Sequence, residues 1–226
     1  MIAVAIDGPS GAGKSTIAKA AAKQLGLIYV DTGALYRTVG YYMVQNSVDL
    51  SKEEQVAAAL SGVQITFDYD EQGAQRVFLN GEDVSDKIRT PEMSMTASKV
   101  SALGCVRAFL LDLQRNTARK QSVIMDGRDI GTVVLPQADV KVFLTASPEV
   151  RAERRYKELL GKGEPVTYEE VLADVIQRDS NDSHREIAPL KQAQDAILLD
   201  TSGFTLEQSI AEVIRMIKEA APCSTR

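Results

Sequence analysis

The segment GPSGAGKST, residues 8 to 16, combines glycines, a lysine and hydroxyl side chains at a spacing suited to binding phosphate groups. It fits the pattern G-x-x-x-x-G-K-[ST] without a mismatch, between an apolar run and a helical pattern. In this pattern the glycines let backbone N–H groups converge on an anion, the lysine reaches the β and γ phosphates, and the serine hydroxyl can ligate Mg²⁺. We therefore predict a nucleoside triphosphate site formed by Gly8, Pro9, Ser10, Gly11, Ala12, Gly13, Lys14, Ser15 and Thr16.

Three arginines follow the i, i+3, i+4 spacing that places side chains on one helix face: Arg151, Arg154 and Arg155. Ser147 is suited to cap this helix, and a polar, glycine-containing turn, GKGEP, follows at residues 161–165. Such a face is either solvated or part of a mobile flap that brings arginines to a ligand. Together with the triphosphate site, the pattern favours the flap, which we expect to be exposed in the empty protein.

Five short, nearly continuous apolar runs predict the buried parallel strands that position these groups: IAVAI, LIYV, SVIM, VKVFL and AILL. Helical patterns lie between them, the first running from Ser15 to Leu25 and stopping at Gly26. Alternating strands and helices predict a doubly wound α/β sheet with its ligand cleft at the carboxyl ends of the strands. Asp7, Asp31 and Asp126 fall at such ends.

One segment, residues 63–84, departs from this pattern because its polar and apolar residues alternate. It carries two turn signals, EQG at residues 71–73 and NG at residues 80–81, and so predicts a small antiparallel insertion. The chain of 226 residues is long enough for one substantial core, and we expect a single domain with a frayed tail from Ala220.

Composition excludes several classes of function. The net charge of −5 argues against a nucleic-acid-binding surface, and no apolar run is long enough to span a bilayer. Without a signal-like N-terminus, the chain is expected to be cytoplasmic. We expect Cys105 and Cys223 to be unpaired thiols, and the single histidine, His184, to be solvated rather than catalytic.

Seven motifs along the chain resemble, in order, those of the bacterial cytidylate kinases, within the nucleoside monophosphate kinase family: GPSGAGKST, DTGALYR, GEDVSDKIRT, SKVSALGCVR, DGRDIGTVV, RAERR and QRDSNDSHR. The differences are conservative, such as Thr32 where some members carry serine. The resemblance implies a P-loop kinase fold with a five-stranded parallel sheet, a monophosphate-binding subdomain and a helical lid. The implied core is residues 1–33, 118–147 and 188–219, the monophosphate-binding region about 34–117, and the lid about 151–170.

The resemblance also implies a reaction, in which the γ-phosphoryl group of ATP is transferred to CMP or dCMP with Mg²⁺. The implied products are ADP and CDP or dCDP, made by a monomeric cytoplasmic enzyme of pyrimidine nucleotide metabolism. The residue types agree with this chemistry, because phosphoryl transfer depends on positioning and charge neutralisation rather than on a protein nucleophile. No guanine-reading N-K-x-D segment is present, which argues against a regulatory GTPase.

Residue roles follow from the same resemblance. The acceptor phosphate would be held by Arg37, Arg128 and Arg185, its sugar by Arg178 and Asp182, and its base by Ser98, Arg107 and Asp129, with Thr32 also in the CMP site. Asp126 would orient the Mg²⁺ shell together with Ser15. Catalysis is assigned to Lys14, which we expect to be exposed in its loop, to Arg128, and to the lid arginines Arg151, Arg154 and Arg155.

Other interpretations remain open at this stage. Arg37 could simply pair with Asp31, and Arg178, Asp179 and Asp182 could form an ion-paired helix end. A kinase for another acceptor, such as UMP, AMP or shikimate, would share the same triphosphate loop. A P-loop binding or regulatory module that hydrolyses ATP slowly is the alternative outside the kinases.

Overall fold

The structure is a computed structural model that describes residues 1–70, 75–161 and 163–220, with the side chain of Pro91 also outside the description. The described chain forms two compact units: residues 1–29 with 121 onward, and residues 30–120. Several predictions therefore lie outside the described residues: the turn at residues 71–73, position 162 of the GKGEP segment, Cys223, and the tail beyond Ala220. Cys105 is an unpaired thiol, as expected.

Single strands and helices alternate near the two ends of the chain, and groups of two or three like elements follow one another between them. In chain order they are β1 (Ala3–Asp7), α1 (Lys14–Leu25), β2 (Ile28–Asp31), α2 (Thr32–Gln45), α3 (Glu53–Ala59), β3 (Ile65–Tyr69), β4 (Gln75–Leu79), β5 (Glu82–Asp83), α4 (Pro91–Val100), α5 (Gly104–Lys120), β6 (Val123–Gly127), β7 (Val140–Thr145), α6 (Pro148–Gly161), α7 (Tyr168–Ser183), β8 (Ile197–Asp200) and α8 (Leu206–Ala220). A short 3₁₀ helix spans Leu60–Gly62, and one π-helical turn spans Ile130–Val134.

The five-stranded sheet has the order β2-β6-β1-β7-β8. β1 pairs in parallel with both β6 and β7, and β7 pairs in parallel with β8, so all five predicted runs form strands of one sheet. The expectation that all five are buried is wrong for the edge strand β8, in which Ile197 is 47% and Leu198 is 56% exposed. The sheet interior is apolar, with Val4, Ile6 and Leu144 fully buried. Asp7 and Asp126 lie in the last two positions of β1 and β6, which places both carboxylates at the carboxyl edge of neighbouring strands.

Helices cover this sheet within the first unit. α1 ends at Gly26, whose φ of 66° is left-handed, as the sequence predicts, and α1 and α8 contribute Ile17 and Val213 to the core. α6 and α7 form a helical pair with its own small cluster of Ala152, Leu159, Val171 and Val175. The Oγ of Ser147 accepts a hydrogen bond from the backbone N–H of Val150 at 3.3 Å, which confirms the predicted cap.

The second unit contains the predicted antiparallel insertion. β3, β4 and β5 form a three-stranded antiparallel sheet inside residues 63–84. Asn80 and Gly81 link the last two strands with φ values of 50° and 86°, the conformation that an Asn-Gly hairpin turn requires. The sheet packs with α2, α3 and α5 around Leu35, Val39, Val56, Val77 and Leu110.

Among the described residues, none of the helices is both long and apolar enough to cross a membrane.

Candidate active site

The loop between β1 and α1 places the glycine-rich motif at the carboxyl edge of the parallel sheet. Gly8 has a φ of 150°, and a Cβ there would overlap the carbonyl oxygen of Leu144 in β7. Gly13 has a φ of 92° and directly precedes α1, whose first backbone N–H groups are left unpaired by helix geometry. The loop therefore presents backbone donors and the positive end of a helix dipole, a site for phosphate groups.

Lys14 is buried in this loop, so the expectation that it is exposed is wrong. Its Nζ folds back and donates a hydrogen bond of 2.7 Å to the carbonyl oxygen of Pro9, and only 5% of the residue is exposed. The pKa of Lys14 is lowered to about 7, mainly by burial and secondly by the positive charge of Arg128. The negative charge of Asp126 opposes this shift. The ammonium group is thus held within the phosphate loop at an electrostatic cost.

Asp126 and Ser15 form the candidate metal site. The Ser15 hydroxyl donates to one oxygen of Asp126 at 2.7 Å, and the Tyr29 hydroxyl donates to the other at 2.9 Å. A hydroxyl and a carboxylate are hard oxygen ligands, and Mg²⁺ commonly takes only one or two protein ligands besides water and substrate phosphates. These residues therefore fit Mg²⁺, although the described residues contain no group of three or more acidic, histidine or cysteine side chains that would form a closed metal cage.

Asp7 fixes the loop that follows β6. Its two carboxylate oxygens accept hydrogen bonds from the backbone N–H groups of Ile130 and Gly131, each at 2.7 Å. Burial raises the pKa of Asp7 to about 6, although these two bonds oppose the shift. The predicted base-reading residue Asp129 comes directly before Ile130 and is only 5% exposed. Sequence reasoning placed Asp7 at a strand end but missed this positioning role.

Four of the predicted acceptor-binding residues lie together near the end of α7: Arg128, Arg178, Asp182 and Arg185. Arg128 donates to Asp182 at 2.7 Å, and Arg185 approaches the other oxygen of Asp182 at 3.8 Å. Burial raises the pKa of Asp182, but the surrounding arginines outweigh it and the net pKa lies below the usual value. Asp182 is therefore ion-paired, but its partners are Arg128 and Arg185 rather than the Arg178 that the sequence suggested. Arg178 contributes its nearby charge, so three guanidinium groups are concentrated in one place.

Arg151 is not an exposed lid residue, which corrects the sequence expectation. It is 2% exposed, and it donates to the carbonyl oxygens of Ala146 at 2.8 Å and Ser10 at 3.0 Å. Its guanidinium also donates two hydrogen bonds to the carboxylate of Asp179, at 2.9 and 2.5 Å. Asp179 was proposed only as part of an ion-paired helix end, so its link to the phosphate loop through Arg151 was missed.

The other two arginines of the trio have different surroundings. Arg154 donates to the carbonyl oxygen of Thr201 at 2.8 Å and reaches that of Ala12 in the phosphate loop at 3.5 Å. Arg155 pairs with Glu158 at 2.9 Å, and its side chain is 37% exposed. Only Arg155 therefore resembles the exposed flap arginine that the sequence predicted.

We expect Arg151→Ala to lower the free energy of unfolding by about 3 to 5 kcal/mol, because it leaves two carbonyls and the partly buried carboxylate of Asp179, whose side chain is 25% exposed, without their donor. The matched variant Arg155→Ala removes an exposed pair and should change the same quantity by at most about 1 kcal/mol. Urea denaturation of both variants measures this difference. Equal stabilities for the two variants would mean that Arg151 does not hold the loop.

In the second unit, Arg37 lies against the start of α2. Its Nη2 pairs with Asp31 at 2.9 Å, while the other oxygen of Asp31 accepts the N–H of Ala34 and caps the helix. Thr32, also predicted in the CMP site, is buried in the first turn of α2. The proposed pairing of Arg37 with Asp31 is thus observed, and a phosphate-binding role for Arg37 stays a prediction.

Ser98 and Arg107 lie on α4 and α5 of the same unit. The Arg107 guanidinium stands 5.9 Å from the centre of the Tyr36 ring and donates to the carbonyl oxygen of Ser101 at 3.3 Å. The Ser101 hydroxyl in turn donates to the carbonyl oxygen of Ser98 at 2.9 Å. A chain of contacts therefore links the two predicted base-reading residues of this unit. His184, by contrast, is exposed, as expected for a solvated side chain, and its Nδ1 lies 2.8 Å from the carbonyl oxygen of Ser180.

The phosphate loop after β1, the sheet order β2-β6-β1-β7-β8 and the helical pair α6–α7 define a P-loop kinase. A family model described as cytidylate kinase matches residues 4–219, and the chain belongs to that family. It is 49% identical over 216 residues to the cytidylate kinase of Thermosipho melanesiensis and 46% identical over 216 residues to that of Bacillus cereus, covering 96% of each chain in both cases.

A solved structure adds evidence on the fold. The crystal structure of an uncharacterized protein from Eubacterium ventriosum aligns with 96% of this chain and 99% of its own, with a TM-score of 0.52 and 13% sequence identity. At that identity the similarity concerns the fold alone.

Proposed function

We propose that this chain transfers the γ-phosphoryl group of ATP to CMP or dCMP, forming ADP and CDP or dCDP. The observation that carries the proposal is the match of residues 4–219 to the cytidylate kinase family, which includes the phosphate loop and the predicted acceptor residues. The geometry of the first unit supports it, since Lys14 lies within the phosphate loop and Ser15 is hydrogen-bonded to Asp126 at the sheet edge, where they would bind phosphate and metal.

In this mechanism the phosphate loop holds the ATP phosphates with its backbone N–H groups and with Lys14. Asp126 and Ser15 would hold Mg²⁺, which would neutralise phosphate charge when bound. Arg128 and Arg185 release part of their pairing with Asp182 to grip the acceptor phosphate, for which a planar guanidinium offers two parallel donors. The protein thus positions both nucleotides and neutralises the charge that spreads over the moving phosphoryl group.

The remaining assignments belong to the same proposal. Arg37 also binds the acceptor phosphate, and Arg178 and Asp182 bind the sugar. The base is contacted by Ser98, Arg107 and Asp129. Arg154 and Arg155 close over the ATP phosphates. Arg151 is reassigned as a positioning residue, because its donors already bind Ser10, Ala146 and Asp179. We also propose that the enzyme is a monomer and works in the cytoplasm, where both nucleotide substrates are made and used.

An acceptor panel tests this proposal. The purified protein is given ATP, Mg²⁺ and one of CMP, dCMP, UMP, AMP or shikimate, and ADP release is followed. We expect fast release with CMP and dCMP and only background release with ATP alone. Faster release with UMP, AMP or shikimate would identify a kinase for another acceptor, and release independent of any acceptor would identify a slow ATPase module.

A further inference from the structure

Gln75, the first residue of β4, contacts the start of α2 with one end of its amide. Its Oε1 accepts a hydrogen bond from the backbone N–H of Asp31 at 2.9 Å, and the residue is 93% buried, with 7% exposed. The other end of the amide, Nε2, is also buried, and it has no hydrogen-bond partner among the residues that the structure describes. An amide is thus held firmly by its acceptor while its donor is left unused.

A second unused donor lies at the same place. Arg37 pairs through Nη2 with Asp31, but its Nε is buried and has no partner within the described ranges. A Cβ on Gly33 would come within 3.2 Å of both Arg37 Nη1 and Asp31 Oδ1, so the guanidinium lies against the first turn of α2. Gln75 and Arg37 are therefore anchored by one residue, Asp31.

The chemistry of these groups specifies the ligand. Both unused atoms are N–H donors, and a buried donor without a partner costs free energy that a ligand with oxygen lone pairs removes. Arg37 adds positive charge, and the N-terminal end of a 14-residue helix favours an anion. Both oxygens of Asp31 are already engaged, one with Arg37 and one with Ala34. The expected ligand is therefore an anionic group rich in oxygen, such as a phosphate.

We propose that Gln75 donates a hydrogen bond to the phosphate of the acceptor nucleotide, beside Arg37. The proposal rests on the proposed function for the identity of the nucleotide, and it gives the antiparallel sheet a role in binding. β4 then does more than cover the apolar cluster around Leu35 and Val77, because its first residue supplies a phosphate ligand.

The test compares binding of CMP with binding of cytidine, which lacks the phosphate. Gln75→Glu keeps an oxygen that accepts the N–H of Asp31 but loses the donor and adds negative charge. We expect it to weaken CMP binding at pH 8 by roughly 10-fold or more and to leave cytidine binding nearly unchanged. Gln64→Glu is the matched control, because it makes the same charge change on an exposed side chain of the same unit. It should leave both affinities unchanged.

Two further measurements separate binding from structure. Gln75→Met removes the donor without adding charge, and should also raise the KM for CMP while leaving the KM for ATP unchanged. In the wild-type protein, the Nε2–H signals of Gln75 should shift on addition of CMP but not of cytidine, a readout that needs no variant to fold.

Three results would overturn the role of Gln75. They are an equal loss of affinity for CMP and for cytidine, an unchanged affinity for CMP in both Gln75 variants, and Gln75 amide signals that respond equally to CMP and cytidine. Failure of the proposed function is a separate result, because it would appear in the acceptor panel with the wild-type protein. The binding comparison does not depend on turnover, and it can be repeated with the monophosphate and nucleoside of any base that the panel identifies.

Discussion

Lys14→Ala is expected to lower kcat by about 100- to 1,000-fold, which corresponds to a loss of about 2.7 to 4 kcal/mol of transition-state stabilisation by analogy with oxyanion donors. The reason is that Lys14 is the ammonium group held within the phosphate loop, 2.7 Å from the carbonyl oxygen of Pro9. Single-turnover kinetics with saturating ATP and CMP measure the loss in the transfer step itself. The matched variant Lys19→Ala, on the exposed face of α1, should retain the wild-type rate.

The same substitution should not destabilise the fold at pH 7. The pKa of Lys14 is lowered from 10.5 to about 7, so the charged form is disfavoured in the folded protein. Between pH 7 and 10.5 the unfolded state binds more protons at this residue than the folded state, and its contribution to stability therefore rises with pH. Urea denaturation at pH 7 and pH 9 should show the wild type gaining stability relative to Lys14→Ala at the higher pH.

A folded Lys14→Ala variant with near-normal turnover would exclude Lys14 from catalysis. A variant that is inactive because it is unfolded would instead assign Lys14 a structural role. Lys14→Met, which retains most of the buried volume, distinguishes the loss of charge from the loss of packing.

Asp129→Ala is expected to reduce the preference for CMP over UMP, measured as the ratio of the two kcat/KM values, by roughly 5- to 150-fold, the equivalent of about 1 to 3 kcal/mol per base contact. Cytosine presents an amino donor at N4, which a carboxylate accepts, whereas uracil presents an acceptor at O4. Asp7 holds the backbone directly after Asp129 through the N–H groups of Ile130 and Gly131, which limits how far the residue can move.

The control for this prediction is the KM for ATP, which should not change because the effect concerns only the acceptor base. Asp129→Asn provides a sharper comparison, since its amide can donate to O4 of uracil and should raise the relative use of UMP. Equal losses with CMP and UMP in the alanine variant would show that Asp129 supports the fold or the phosphate site rather than the base.

The sequence predicts the fold well because its signals are local. Each strand of the parallel sheet is a nearly continuous apolar run, Gly26 ends α1 with a left-handed conformation, and Asn80 with Gly81 forms a hairpin turn. The phosphate loop is equally local, because the residues that hold one anion follow each other in the chain. Such features depend on few distant contacts, and the structure confirms them.

The features that the sequence did not reveal depend on residues far apart in the chain. Arg151 is buried because Ser10 and Asp179 accept its hydrogen bonds, and helical spacing alone cannot distinguish this from a solvated face. The pairing of Gln75 with Asp31 depends on how β4 meets α2, for which the sequence carries no local signal. Lys14 was expected to be exposed because a motif specifies which residue is present, not which way its side chain folds.

The central claim, that this chain moves a phosphoryl group from ATP to CMP, is tested most directly by following that group. ATP labelled in its γ-phosphoryl group is incubated with CMP, Mg²⁺ and the protein, and the products are separated. We expect the label to appear in the β position of CDP, in an amount equal to the ADP formed, with little inorganic phosphate. Label recovered as inorganic phosphate while CMP remains unchanged would contradict it.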